Sequence, residues 1–131
     1  MDIVSFRPEI HGDMIRGWWQ AHGWPALPDD ALPKSGLIVV ADGVPAVAGF
    51  MYMTDSSWGV LEFIVGNKDV SKDTRKQALD VLIPGLLTIA KEHGKRLVFS
   101  SVSHPSLIDG YKRHGMIETD KGMTNFVWRA Q

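Results

Sequence analysis

Two side chains of this 131-residue sequence have the chemistry needed to move protons. Glu62 lies in the apolar run LEFIV, and burial among such neighbours raises the pKa of a carboxylate toward the range where it acts as a base near neutral pH. Tyr111 is the one tyrosine of the segment SHPSLIDGYKRHGMIE, and a phenol with a pKa near ~10 can donate a proton at neutral pH. The alternatives are a Glu62 exposed at a strand edge and a Tyr111 ring that only packs in the core.

Other chemistries have less support. The sequence has no cysteine, which excludes a thiolate nucleophile, a disulfide and a Cys-based zinc site. None of its histidines, aspartates and glutamates has a metal-ligand spacing such as His-Glu-x-x-His, so no metal is expected. Serines are frequent between 100 and 106, but none lies in Gly-x-Ser-x-Gly, the hydrolase pattern. The formal net charge is −1 with both signs mixed along the chain, so a nucleic-acid partner is not expected.

The length and composition predict a single domain over residues 1–131. A chain of this size with 44% hydrophobic residues can bury one sizeable core but scarcely two. The N-terminal stretch MDIVSFRPEI lacks a basic start followed by an apolar segment, and no apolar run approaches membrane-spanning length. We therefore expect a cytoplasmic protein without a membrane partner.

The hydrophobic periodicity predicts strands and helices in the order β-α-βββ-α-β-α-ββ. The expected segments are strands at 3–6, 36–40, up to Thr54, 58–65 and 96–102, helices at 8–22, from Ser71 or Asp73 to Gly94 and from Pro105, and a closing hairpin of MIET and MTNFVWR. Because the strand at 96–102 follows a helix, it can pair parallel to the one at 58–65. The fold class is thus α/β (α+β), with a mixed, mostly antiparallel sheet of about six to seven strands and helices on both faces.

Strand alternation assigns the residues around Glu62 to two faces. In a regular strand, Glu62 shares one face with Ile64, whereas Leu61, Phe63 and Val65 lie on the other.

The order of elements resembles that of the GNAT superfamily of N-acetyltransferases over nearly the whole chain. GNAT proteins commonly carry Asn-x-x-Ala-x-x-x-Tyr-x-x-x-Gly-Phe after the fifth strand. His104, Leu107, Tyr111, Gly115 and Met116 have these spacings here, and the tyrosine and the glycine are identical. The resemblance implies that acetyl-CoA is the co-substrate and that a primary amine attacks its thioester directly in a ternary complex. It also implies that two neighbouring parallel strands diverge, with Glu62 or water accepting the amine proton and Tyr111 protonating the sulfur.

A second GNAT pattern, Gln/Arg-x-x-Gly-x-Gly/Ala, forms a loop that binds the CoA pyrophosphate through backbone amides at a helix N-terminus. It aligns with Thr74 to Leu79, where both glycines are replaced. The basic side chains around this helix start could bind CoA in their place, or could simply be solvated. The resemblance implies cofactor contacts from Ile64, Val65, Gly66, Lys72, Arg75, Lys76, Gln77, Ala78 and His104.

The acceptor is expected to be a small-molecule or peptide amine. Trp24, held between Gly23 and Pro25, and Tyr52 are the candidate acceptor-binding residues. The C-terminal segment MTNFVWRA could pair across a homodimer. The alternative function is a GNAT-like binding or assembly module that has lost CoA binding. The replaced glycines favour that alternative, and the retained Tyr111 segment favours the enzyme.

Overall fold

A computed structural model describes residues 1–25 and 27–130. Its elements are β1 (Asp2–Ser5), α1 (Pro8–Ala21), a short 3-10 helix (Asp29–Ala31), β2 (Gly36–Ala41), β3 (Val44–Met53), β4 (Trp58–Gly66), α2 (Lys72–Glu92), β5 (Leu97–Phe99) and α3 (Pro105–Arg113).

The strands form one mixed sheet in the order β1-β2-β3-β4-β5. Strands β1 to β4 pair antiparallel with their neighbours. The tight turn between β2 and β3 has positive φ at Asp42 and Gly43, as the Asp-Gly pair predicts. Helix α2 then crosses over to β5, which pairs parallel to β4 from Trp58↔Leu97 to Val60↔Phe99. The predicted meander and the predicted parallel pair are confirmed.

The two faces of the sheet carry separate apolar clusters. On one face, Leu82, Ile83 and Leu86 of α2 pack against the sheet, and Tyr111 of α3 joins this cluster. On the other face, the α1 residues Ile15, Trp18 and Trp19 pack with Phe50 of β3. The side chains of β2 alternate between the clusters, with Leu37 and Val39 in the first and Ile38 in the second. Helices therefore cover both faces, as predicted.

The sheet has five strands within the described part of the chain, fewer than the six to seven expected. The predicted hairpin of MIET and MTNFVWR is absent, since residues 116–130 adopt neither helix nor strand. The side chains of Phe126, Val127 and Trp128 are at least 83% exposed. A physical reason is that an isolated two-stranded hairpin is marginal in water, and the neighbouring edge strand, β5, has only three residues.

Gly36 is a position where the fold tolerates no side chain. A Cβ atom added there would lie 2.6 Å from Cδ1 of Phe50 and 2.9 Å from Cβ of Phe6. We expect Gly36→Ala to lower the free energy of unfolding by about 1–3 kcal/mol through overpacking. Gly17→Ala is the control, because nothing lies within 4 Å of that added Cβ. In a helix interior this control should stabilise by about 0.5–1 kcal/mol. Urea unfolding measures both, and equal effects would contradict the steric argument.

Candidate active site

A bulge interrupts β4 next to Glu62. Phe63 has a φ of 58°, a left-handed backbone conformation that is rare for a bulky residue. Glu62 pairs with Phe50 and Val65 pairs with Ala48, so Phe63 and Ile64 together face only Gly49. Such a bulge bends its strand and increases the local twist.

The bulge changes which side chains share a face. Leu61 belongs to the cluster beneath α2, whereas Val65 belongs to the cluster beneath α1. Phe63 packs on the α1 side and Ile64 on the α2 side. Glu62 is paired with Phe50, a residue of the α1 side. The prediction that Leu61, Phe63 and Val65 share a face and that Glu62 lies with Ile64 is therefore wrong, because the extra residue shifts the alternation by one.

The parallel strands β4 and β5 part just before this bulge. Their ladder ends at Val60↔Phe99, and the chain after Phe99 leaves the sheet. At this point Oε1 of Glu62 accepts a hydrogen bond of 2.6 Å from the Ser101 N–H. The Glu62 carboxylate thus connects β4 with the segment that follows β5, at the point where the two strands separate.

A cleft of about 540 Å³ opens beyond the bridge. It lies between the second half of β4, the segment after β5, the end of α1 and the start of α2. Its lining residues are Trp19, His22, Trp24, Glu62, Phe63, Ile64, Gly66, Lys68, Lys72, Arg75, Lys76, Leu79, Ser101, Val102, Ser103, His104, Ser106, Leu107 and Tyr111.

Three polar side chains are connected beside the cleft, where β4 and β5 part. The hydroxyl of Tyr111 lies 2.8 Å from Oγ of Ser100, and this Oγ lies 3.5 Å from Oε1 of Glu62. The ring of Tyr111 is buried in the core while its hydroxyl reaches the cleft. The phenol and the carboxylate predicted from the sequence are thus linked through one serine.

The surroundings raise the pKa of both Glu62 and Tyr111. Burial raises the pKa of Glu62, and the hydrogen bonds from the Ser101 N–H and the Ser100 hydroxyl oppose part of that rise. Burial raises the pKa of Tyr111 to about 12; the Ser100 hydrogen bond lowers it, and the negative charge of Glu62 adds to the rise. The phenol therefore stays protonated throughout the neutral range, and the carboxylate is a stronger base than an exposed one.

Side-chain hydrogen bonds hold both ends of helix α3 and so fix the position of Tyr111. At its start, Nδ1 of His104 accepts the Ser106 N–H at 3.2 Å. At its end, Oδ1 of Asp80 on α2 lies 2.9 Å from both Nη2 of Arg113 and Nε2 of His114. Burial, the largest single influence, raises the pKa of Asp80, but the hydrogen bonds and positive charges of Arg113 and His114 together outweigh it, so the pKa is lowered.

The other end of the cleft is cationic. Lys68, Lys72, Arg75 and Lys76 line it around the first turns of α2. Nε of Arg75 is buried and has no hydrogen-bond partner among the described residues. The Lys72 and Asp73 amides have no partner within the helix, as at any helix start. This set of donors and positive charges suits a phosphate-bearing ligand such as CoA.

The structure separates the predicted site residues into two groups. Glu62, Tyr111, Ile64, Gly66, Lys72, Arg75, Lys76, His104 and Trp24 line the cleft. Val65, Gln77, Ala78 and Tyr52 are not among the lining residues.

Each residue of the second group has another environment. The side chains of Val65 and Ala78 are buried in the two apolar clusters, and Gln77 is exposed on α2. The Tyr52 hydroxyl donates a hydrogen bond of 2.7 Å to the Ala31 carbonyl, and burial, with a smaller contribution from Glu62, raises its pKa to about 12. Because α2 begins at Lys72, the segment Thr74 to Leu79 lies within the helix rather than in a pyrophosphate loop.

Sequence reasoning missed Ser100, Ser101, His22 and Phe63. Ser100 and Ser101 lie within the strand predicted over 96–102 and were compared only with a hydrolase pattern, whereas in the structure β5 ends at Phe99 and both serines lie where two strands part. His22 directly follows α1, and its Nε2 lies 3.0 Å from the Gly66 carbonyl oxygen.

Within residues 1–25 and 27–130, no group of three or more His, Cys, Asp or Glu residues could hold a metal ion. No helix in the described part of the chain combines the length and apolar character needed to cross a membrane.

No family model and no curated protein matches the sequence, but solved structures do match the fold. A probable acetyltransferase has a TM-score of 0.74 at 16% identity, covering 100% of this chain and 99% of its own. The aminoglycoside N-acetyltransferase AAC(6')-Iy in complex with CoA has a TM-score of 0.66 at 24% identity, covering 96% and 93%. The ribosomal-protein-S18-alanine N-acetyltransferase from Escherichia coli has a TM-score of 0.71 at 15% identity, covering 91% and 79%. With its bulged β4 and its parting parallel strands, the chain has a GNAT-like fold, similar to the folds of these solved structures.

Proposed function

We propose that this protein is an acyl-CoA-dependent N-acetyltransferase that transfers an acetyl group from acetyl-CoA to a primary amine in a ternary complex. The observation that carries the proposal is the connected set Glu62, Ser100 and Tyr111 at the point where β4 and β5 separate. A base and an acid lie there at one end of a cleft whose other end is cationic.

The cationic end would hold the phosphates of acetyl-CoA. Lys68, Lys72, Arg75 and Lys76 would supply the positive charge for this. The pantetheine arm would then run along Ile64 and Gly66 toward Glu62. This would place the thioester between β4 and the segment that follows β5. The solved structure of AAC(6')-Iy contains CoA, which supports this cofactor for the fold.

Glu62, Ser100 and Tyr111 can account for every proton that moves during the transfer. An acceptor that binds as an ammonium ion first loses one proton to the solvent. The nitrogen of the neutral amine then forms a bond to the thioester carbon, and the carbon–sulfur bond breaks. The proton from nitrogen passes to Glu62, and sulfur receives the proton of Tyr111. Ser100 can then pass a proton from the Glu62 carboxyl to the Tyr111 oxygen, which restores both groups. Because the Tyr111 pKa is about 12, its proton moves only as negative charge develops on sulfur.

Acetyl-CoA binding and acetyl transfer are the direct tests. Acetyl-CoA at millimolar concentration should raise the thermal midpoint, because a ligand specific for the folded state stabilises it. A panel of primary amines should release CoA thiol in proportion to acetylated amine. Absence of any stabilisation would favour the alternative of a binding or assembly module without CoA, which the replacement of both loop glycines supports.

Arg75→Met tests the phosphate site more closely. The variant keeps an apolar stem against Gly66, where an added Cβ would lie 3.1 Å from Arg75 Cδ, but removes the charge and the buried donor. We expect the Kd for acetyl-CoA to rise about 10-fold or more. Lys91→Met, at the opposite end of α2, is the control and should leave the Kd unchanged. Calorimetry of both variants decides, and equal affinities would contradict the assignment.

A further inference from the structure

We propose that the acceptor is a primary amine with a single positive charge and an aromatic or apolar substituent, which binds with its nitrogen at Glu62 and its substituent against Trp24, Trp19 and Phe63. This inference rests on the proposed function and specifies the class of its second substrate.

The aromatic residues form a continuous wall. The ring centroids of Trp19 lie 5.1 Å from those of Trp24 and 5.5 Å from those of Phe63. All three side chains line the cleft. Trp24 is 43% exposed, so its indole offers apolar surface that a ligand can cover. Aromatic surface of this kind favours an aromatic or apolar partner over a polar one.

The exposed indole is held in position rather than free to turn. The imidazole of His22 stacks on Trp24 with a centroid separation of 4.5 Å and an interplanar angle of 15°. Nε2 of the same imidazole lies 3.0 Å from the Gly66 carbonyl oxygen. Contacts from both α1 and β4 therefore position Trp24 before any ligand binds, which reduces the entropy lost on binding.

The bulge brings an aromatic ring beside the carboxylate. In a regular strand, Phe63 and Glu62 would point to opposite faces, but the left-handed Phe63 places its ring on the α1 side, where Glu62 is paired with Phe50. A carboxylate next to aromatic rings is a suitable environment for an ammonium group, through charge and cation–π attraction. The strained conformation of Phe63 thus has a role in the site.

The charge distribution of the cleft selects against polycations. Glu62 is the one carboxylate among the described lining residues, whereas Lys68, Lys72, Arg75 and Lys76 are cationic. In the ternary complex the phosphates of CoA would neutralise these cations, so Glu62 is left as the charged partner for an ammonium group. An acceptor with several ammonium groups, such as an aminoglycoside or a polyamine, would leave all but one of them without a carboxylate partner, whereas a monoamine with an uncharged substituent would not.

Calorimetry with the full chain in the presence of CoA tests the inference without requiring turnover. The probes are 2-phenylethylamine, ethylamine and spermidine. We expect 2-phenylethylamine to bind about 10-fold or more tightly than either of the others, because only its ring can cover the aromatic wall. Tighter binding of spermidine, or equal binding of ethylamine, would overturn the inference.

Two tryptophan variants locate the binding surface. Trp24→Ala should weaken 2-phenylethylamine binding about 10-fold, and Trp24→Phe should retain most of it. Trp58→Ala is the matched control, because Trp58 is also 43% exposed but does not line the cleft. Equal losses in Trp24→Ala and Trp58→Ala, or no loss in either, would overturn the assignment, and thermal midpoints show that each variant folds.

The acetyl-transfer assay separates this inference from the proposed function. Transfer to spermidine in preference to 2-phenylethylamine would retain the acetyltransferase and overturn the acceptor class. Binding of 2-phenylethylamine through Trp24 without transfer to any amine would support the amine site and overturn the acetyltransferase. In the expected result, Trp24→Ala raises KM for 2-phenylethylamine about 10-fold while kcat changes far less, because the ring contact is the same in the ground and transition states.

Discussion

Replacing Glu62 by glutamine is expected to lower kcat/KM for the amine by about 10²–10⁴-fold at neutral pH, the range typical of a lost general base. The amide still accepts a hydrogen bond from the Ser101 N–H, so the bridge at the parting strands is kept while the proton acceptor is lost. Release of CoA thiol measures the rate. Glu92→Gln, an exposed carboxylate at the end of α2, is the control and should behave like the unaltered protein.

The pH dependence distinguishes this role from a structural one. Burial raises the pKa of Glu62 above its ordinary value, and a base must be deprotonated, so kcat should fall as the pH drops through that raised pKa. The acid limb should disappear in Glu62→Gln. If Glu62→Gln has a rate within about threefold of that of the unaltered protein and still shows the acid limb, Glu62 is not the base.

Glu62→Gln should keep or gain thermal stability at pH 7, although it loses activity. A carboxylate whose pKa is raised by folding binds its proton more tightly in the folded state, so its stabilising contribution is present below the unfolded pKa and is lost as the pH rises through the folded pKa. At neutral pH the charged Glu62 therefore opposes folding. We expect the thermal midpoint of Glu62→Gln at pH 7 to equal or exceed that of the unaltered protein.

Local periodicity was enough to predict most of the fold. Alternation and helical spacing identified the meander, the long crossover helix and the parallel strand after it, because each of these depends on which residues face the core. Glu62 could be selected because it is a carboxylate in an apolar run, and Tyr111 because the spacing of its segment resembles the GNAT pattern.

The missing details depend on backbone geometry that residue types do not encode. Phe63 adopts a positive φ although its type favours an ordinary strand, so the shift in alternation after Glu62 could not be anticipated. Ser100 acquires its role only because the β4–β5 ladder ends at Phe99, three residues earlier than predicted. The C-terminal hairpin was predicted from alternation alone, which does not establish that a strand has a partner.

Under the proposed function, one cleft must both bind phosphate and transfer protons. Phosphate binding needs exposed positive charge, whereas proton transfer needs groups withdrawn from water. The structure separates them along β4: Gly66 lies at the cationic end, and Glu62, four residues earlier, lies where burial raises the pKa. Between them, the bulge at Phe63 bends the strand. This irregularity thus sets the position of the proposed base relative to the proposed phosphate site.

Replacing Tyr111 by phenylalanine is expected to lower kcat by about 10²-fold or more, because the developing charge on sulfur loses its proton donor. The ring stays in the core, so the fold should be retained. Tyr52→Phe is the matched control: Tyr52 is half-buried and also has a pKa of about 12, but its hydroxyl donates to the Ala31 carbonyl and it does not line the cleft. This control should lose about 1 kcal/mol of stability with little change in kcat.

Two further measurements test how Tyr111 acts. With a pKa of about 12, the phenol stays protonated up to strongly alkaline pH. The unaltered protein should therefore show no fall in kcat from about pH 8 to about pH 10, because even the upper limit is roughly two units below that pKa. Ser100→Ala should reduce kcat by about 10-fold, less than Tyr111→Phe, because Ser100 restores the proton of Tyr111 without donating to sulfur itself. An alkaline limb near pH 9 that vanishes in Tyr111→Phe would mean that the phenol is far less buried than its 7% exposure implies. A full rate in Tyr111→Phe would instead leave the leaving sulfur to be protonated by water.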